Sequence, residues 1–229
     1  MLTIDLNADV GEGGPDDDAI LGHVTSANVA CGAHAGSEET MRATCAAAIA
    51  RGVRIGAHPG YPDRDGFGRR ETGASPAEIG ATVREQLEVL SAIAPPVYVK
   101  LHGALYHRAA ADPEAAEAVA GAIEAADGPY VVLAQPGSHL ITVAAALGWR
   151  TVAEGFADRG YETDGSLIQR GFPGDLLGAD AAAEQAVELA RGGTVGSLCL
   201  HGDRPGAPET AARIAAALRK ARIDLAAFT

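Results

Sequence analysis

The sequence predicts an α/β fold built on a parallel barrel, and three observations predict it. Short apolar runs alternate with Ala/Glu/Leu-rich segments of helical spacing about seven times along the 229-residue chain. No shift in composition marks a linker, so one domain is expected over residues 1–229. Polar and titratable residues collect at the C-terminal ends of the runs, where parallel α/β folds build their sites. Seven or so units fit a barrel, irregular or incompletely closed, better than a five-stranded open sheet. A doubly wound open sheet is the alternative, and the lack of GxGxxG after a strand weakens a dinucleotide-binding version of it.

The strand-like runs, in order, are LTIDLNAD, SANVACGA, VRIGAHP, VYVKLHG, YVVLAQP, RTVAEGFA and SLCLHGD. The first alternates Leu6, Ala8 and Val10 with Asp5, Asn7 and Asp9, then meets Gly11 and Glu12. A first strand of such a fold is covered on both sides, so its polar face is expected to point into the barrel mouth. Helical spacing begins at Ser37, a plausible N-cap, and stops at Gly52. Ser75, Pro76 and Glu78 combine a capping box with a proline start, and Asp112 with Pro113 repeats the device. Further helices end at Gly148 and Gly192, and PETAARIAAALRKARI closes the chain. From Phe156 to Gly178 the chain carries many glycines and no sustained period, which reads as an ordered active-site loop.

Composition narrows the function. Apolar residues make up 47% of the chain and aromatics 4%, so a sizeable core is built from Ala, Val, Leu and Ile. The formal net charge is −12 with no Lys/Arg-rich run, which argues against nucleic acid or an anionic membrane as a partner. No signal peptide or span of apolar residues is apparent, and the three cysteines are an odd number; free thiols and a cytoplasmic location are expected. A homo-oligomer is left open.

The chemistry collects at strand ends. Asn7, Asp9 and Glu12 follow the first strand, His34 the second, and His58, Asp63 and Arg64 the third. Lys100, His102 and Tyr106 follow the fourth, Gln135 the fifth, Glu154, Asp158 and Arg159 the sixth, and His201 and Asp203 the seventh. Converging polar groups must be paired or solvated. A buried network that only holds the barrel end is the competing reading. Lys100 is one of two lysines in a chain that otherwise uses Arg, and it sits in an apolar strand; it either polarises an oxygen or pairs with a neighbouring strand's carboxylate. We take Asp9, Glu12, His58, Lys100, His102, Asp158 and Arg159 as candidate catalytic residues, and Asn7, His34, Arg64, Tyr106, His201 and Asp203 as candidate substrate-binding residues. Asp9, His34, His58 and His201 are ligand candidates for a divalent metal, which spacing alone does not require. There is no GxSxG elbow, HExxH or P-loop. Asp9→Asn and His58→Ala are expected to spare the fold and remove turnover.

The motifs IDLNADVGE, SANVACGAHAG, GVRIGAHPGYPDRDGFGRR, VKLHGALY, FADRGYETDGSL and CLHGD run in order over nearly the whole chain. Together they resemble the LamB/YcsF family, the A component of bacterial ATP-dependent 5-oxoprolinase. The resemblance implies a distorted seven-stranded (β/α) TIM-like barrel of the polysaccharide-deacetylase type. It implies hydrolysis of the lactam of 5-oxo-L-proline to L-glutamate, with ATP and Mg as cofactors and separate B and C subunits as partners. A stand-alone metal-dependent deacetylase or amidohydrolase is the alternative. A third reading is a non-catalytic component that only binds ligand. One departure stands out: the connection from ARGGTVGS into LCLHGD is shorter than the family's, which suggests a trimmed loop beside His201 and Asp203.

Overall fold

The computed structural model describes residues 2–128 and 130–228. In chain order its elements are β1 (Leu2–Val10), α1 (Asp17–Leu21), β2 (Ser26–Ala30), α2 (Glu38–Arg51), β3 (Arg54–His58), α3 (Pro76–Ser91), β4 (Tyr98–Val99), α4 (Gly103–Ala111), α5 (Pro113–Ala125), β5 (Val131–Ala134), α6 (His139–Ala146), β6 (Arg150–Phe156), α7 (Ala179–Gly192), β7 (Ser197–His201), α8 (Ala207–Lys220) and β8 (Ile223–Leu225). Strands β1 to β7 pair in parallel in sequence order, and β1 pairs with both β2 and β7, so the sheet closes on itself. This is the TIM-like barrel that the sequence predicts, with helices around it. An open sheet is excluded by the closure.

The caps behave as the sequence predicts. Ser37 and Ser75 each accept from the backbone N–H three residues on, in complete capping boxes. Asp112 caps α5, and Gly52 ends α2 in the left-handed region at φ 68°. Three features depart from the sequence pattern. The fourth strand stops at Val99, because Gly103 turns the chain at φ 55° into α4. The five-residue α1 hides in GGPDDDAILG, too short to show a period. The closing helix ends at Lys220; Arg222 at φ 61° breaks it, and β8 then pairs with Leu2–Ile4 outside the ring.

Every residue from Ile4 to Gly11 is buried. Leu6, Ala8 and Val10 join the apolar core beneath the helices, while Asp5, Asn7 and Asp9 form a polar column inside the barrel. Tyr98 lies against Gly56, where a Cβ would collide with its ring, and its hydroxyl donates to Asn28 Oδ1 (2.6 Å). The segment from 156 to 178 is ordered by its own contacts: antiparallel bridges join Arg159 to Leu176 and Tyr161 to Leu167. The short connection after α7 enters β7 at Ser197, whereas His201 ends that strand. It therefore lies at the far end of the barrel and does not trim the surroundings of His201 and Asp203.

Candidate active site

A cleft of about 320 Å³ opens at the C-terminal ends of the strands. Asp9, His58, Lys100, His102, Tyr106, Arg159 and His201 are among the residues that line it. Of the other candidates, Glu12 contacts His34 Nε2 (3.3 Å) and His102 Nδ1 (3.5 Å), and Asp158 contacts His201, from behind the cleft surface. Asp203 pairs with Arg69, a cleft residue.

Three expected substrate contacts, Asn7, His34 and Arg64, do not line the cleft, and His34 is buried against Glu12. Asn7 lies a layer below: its amide N–H groups donate to Glu154 and Ser197, and its oxygen accepts from Asn28 and Lys100. Arg64 donates to the carbonyls of Gly32 and Gly36 (both 2.6 Å), so it braces the β2–α2 loop. The interior column thus divides. Asp5, buried with Thr25, Ser26 and Ser197 as donors, and Asn7 form the structural network; Asp9 alone of the three reaches the mouth.

Lys100 is the counter-ion of that network. Its ammonium donates to Asp9 Oδ1 (2.7 Å), lies 3.1 Å from Glu154 Oε1 and 2.9 Å from Cys199 Sγ, and is 2% exposed. Burial works against its charge, but Asp9 beside it outweighs burial and holds its pKa well above the usual lysine value. Burial likewise opposes the charge on Asp9, and His58 and Lys100 together hold its carboxyl well below the usual range. Both groups are therefore ionised at neutral pH, and the ammonium has no hydrogen left for a substrate. Cys199 stays a neutral thiol, pushed well up by burial and by Asp9.

The histidines are held in defined tautomers. A carbonyl oxygen accepts only, so His58 Nδ1 donates to Lys100 O (2.9 Å) and His102 Nε2 donates to Phe67 O (2.8 Å). Their remaining nitrogens, His58 Nε2 and His102 Nδ1, face each other at 3.0 Å. Two bare nitrogens at that distance repel unless a proton or a metal cation lies between them. Glu12, His34, His58 and His102 present ligand atoms within 4.8 Å of one another, a donor set of borderline character that suits a zinc-like ion. Of the ligands expected from sequence, His34 and His58 fall in this group, whereas Asp9 and His201 fall in a second one with Cys199. The His34 and His102 rings stack in parallel planes at 3.8 Å, so the two rings cannot both aim a lone pair at one point. Glu12, His58 and His102 are the compatible set. Gly68 permits the stack: at φ 65°, a Cβ there would sit 2.8 Å from His34 Cβ. Burial pushes Glu12 well up, with Asp9 and Asp203 adding to it, and burial lowers His34 to about 3.

His201 supplies the most base-like geometry. Its Nδ1 donates to Asp158 Oδ1 (3.0 Å), its backbone N–H donates to Asp158 Oδ2 (3.0 Å), and its Nε2 points to the cleft 4.0 Å from Asp9 Oδ2. Burial opposes the Asp158 charge, but His201 and Arg204 keep its pKa below the usual range. Asn28, Tyr98, Cys199 and Arg170 belong to the site without standing out in the sequence. The first three carry no signal until the barrel closes, and Arg170 sits in the aperiodic segment.

Known proteins share this architecture. The A components of 5-oxoprolinase, so named, from Nocardia farcinica and Mycobacterium marinum are 47% and 45% identical, over 99% and 100% of this chain and 100% of theirs. The first alignment runs over 249 positions against 229 residues here, so that relative carries additional residues. The crystal structure of a lactam utilization protein from Thermus thermophilus matches with a TM-score of 0.91 at 38% identity, over 99% of this chain and 100% of that one. A family 4 carbohydrate esterase from Streptomyces lividans shares the fold alone, at a TM-score of 0.55 and 10% identity over 99% and 93% of the two chains. The profile of the LamB/YcsF family matches residues 4–229, and the chain belongs to that family.

Proposed function

We propose that this chain, as one α/β barrel domain, is the A-type component of an ATP-dependent 5-oxoprolinase. It acts with B and C subunits to convert 5-oxo-L-proline to L-glutamate. The observation that carries the reading is the Asp158–His201 pair beside ionised Asp9 in the cleft. It occurs in a chain whose full-length relatives bear that name.

A five-membered lactam closes readily, so its opening is coupled to ATP. Phosphorylation of the amide oxygen activates the ring carbon. Water then adds to it, the C–N bond breaks as the nitrogen takes a proton, and the acyl phosphate formed passes phosphate to a second water. In this scheme His201 Nε2 accepts the proton of the attacking water and returns it to the leaving nitrogen. Asp158 is a positioning residue that fixes the tautomer and stabilises the imidazolium. Asp9 remains anionic and supports the developing charge on His201. Tyr106, whose buried hydroxyl lies beside Glu154, lines the cleft and in this scheme bonds the substrate. MgATP is the proposed co-substrate, with the partner subunits completing its site.

Glu12, His58 and His102 would hold a divalent ion, which when bound supplies Lewis-acid polarisation of a carbonyl. The same three residues are the observation that favours the second reading, a stand-alone metal-dependent hydrolase. Glutamate release with MgATP by the chain plus its B and C subunits supports the first reading. Acetate release from acetylated sugar by the zinc-loaded chain alone, without ATP, would support the second.

A further inference from the structure

We infer that Arg159 and Arg170 form an oxyanion subsite in the lining of the cleft, which receives the carboxylate of the lactam substrate. The subsite stands on the geometry of that lining; the identity of its anion rests on the function proposed above.

Arg159 is 5% exposed, and its guanidinium donates to two backbone carbonyls, Asp175 O (2.9 Å) and Ile168 O (2.6 Å). Arg170, half-buried, lines the same cleft. Among the described residues neither arginine forms an ion pair. The carboxylates nearest in the chain are turned elsewhere: Asp158 to His201 and Arg204, and Asp175 to the Gly171 N–H. A third arginine, Arg69, lines the cleft but is paired with Asp203. Positive charges gathered at one cleft with no ion-pair partner are costly, the more so in a chain of net charge −12 with carboxylates to spare. Burial and the neighbouring Arg170 both press on the Arg159 charge. An anionic ligand relieves this, and planar guanidinium groups match a carboxylate.

The placement also suits the substrate. In 5-oxoproline the carboxylate is on the carbon beside the ring nitrogen, away from the carbonyl that reacts. The same cleft is lined by His58 and His201 at the ends of β3 and β7 and by Arg159 and Arg170 on the segment after β6, which gives the two ends of the substrate different elements to meet. The backbone bonds of Arg159 explain why the segment from 156 to 178 is ordered: its guanidinium is fixed before any ligand arrives.

The test is calorimetric titration of the full chain with 5-oxo-L-proline, with its primary amide and with inorganic phosphate, for the wild type, Arg170→Gln and Arg159→Lys. Arg170→Gln spares the loop's backbone bonds, so it keeps the test valid should Arg159→Lys loosen the fold. Binding of 5-oxoproline is expected, roughly tenfold or more weaker in Arg170→Gln, as loss of a charge-assisted hydrogen bond requires. Little affinity for the amide is expected, with no further loss of amide binding in the variant. Equal affinity for acid and amide, or an unaffected Arg170→Gln, overturns the subsite while the lactam function stands. Phosphate binding that needs Arg170, with no lactam binding, keeps the oxyanion subsite but overturns its assignment to the carboxylate and speaks against the proposed function. Absence of binding by all three ligands overturns the subsite.

Discussion

His58 Nε2 and His102 Nδ1 face one another across 3.0 Å in a buried site, because backbone carbonyls of Lys100 and Phe67 hold the opposite nitrogen of each ring, and Asp9 Oδ2 lies 3.5 Å from the His58 nitrogen. Glu12 Oε1 stands 3.5 Å from the same His102 nitrogen. A zinc ion is expected to bind this set. Metal binding competes with protons for these ligands, and burial raises the Glu12 pKa, so uptake should release protons and weaken as pH falls. Calorimetry in buffers of different ionisation enthalpy measures both. Binding should vanish in His102→Ala and raise the stability of the wild type by about 2.7 kcal/mol at a hundredfold excess over Kd. A null titration would mean that the pair shares a proton instead.

Lys100 and Asp9 form a buried pair in which each offsets the other's desolvation. Lys100→Met leaves Asp9 and Glu154 facing each other with no cation between, and should cost about 3–5 kcal/mol in urea denaturation. Asp9→Asn is the milder change, since Glu154 still neutralises the ammonium. It is nonetheless not the near-neutral mouth substitution that position at a strand end suggests, because Asp9 is 3% exposed. A Lys100→Met protein as stable as the wild type would show that the pair is not ionised.

This contrast marks what could be read in the sequence. Strand order, helix caps and the gathering of His34, His58, His102 and His201 at one end follow from local signals, since period and capping are local. What Asn7 and Arg64 do does not. Both are polar residues next to the mouth, yet closure of the barrel uses up the Asn7 amide and a loop uses up the Arg64 guanidinium. The Asp158–His201 partnership spans 43 residues and the Lys100–Cys199 contact 99, so neither has a sequence signature. Arg170 is hidden because a segment without period gives no side-chain direction.

The three cysteines should be inert in the folded protein. Burial raises Cys31 to about 12 and Cys45 to about 11, and Cys199 is pushed well up as well. A thiol reagent at pH 8 meets no thiolate, so no colour should develop without denaturant and three equivalents with it. Rapid modification of one thiol in the native protein would contradict its burial.

His34 makes the fold acid-sensitive. Its pKa falls to about 3 in the folded chain and is about 6.5 unfolded, so between those values the unfolded state binds the extra proton. Stability is complete above pH 6.5 and declines as pH falls toward 3, by up to about 5 kcal/mol from this residue. Melting curves against pH should therefore be flatter for His34→Gln than for the wild type in that window. Parallel curves would place the acid sensitivity elsewhere.

The most direct measurement is glutamate formation from 5-oxo-L-proline with MgATP by the purified chain, alone and with B and C subunits, for the wild type and His201→Asn. Glutamate is expected only from the assembled wild type, with His201→Asn folded, assembling and at least about a hundredfold slower, the scale of a lost general base. ATP-dependent glutamate release by the single chain, or undiminished turnover by assembled His201→Asn, would contradict the proposed role of His201 and the need for partners.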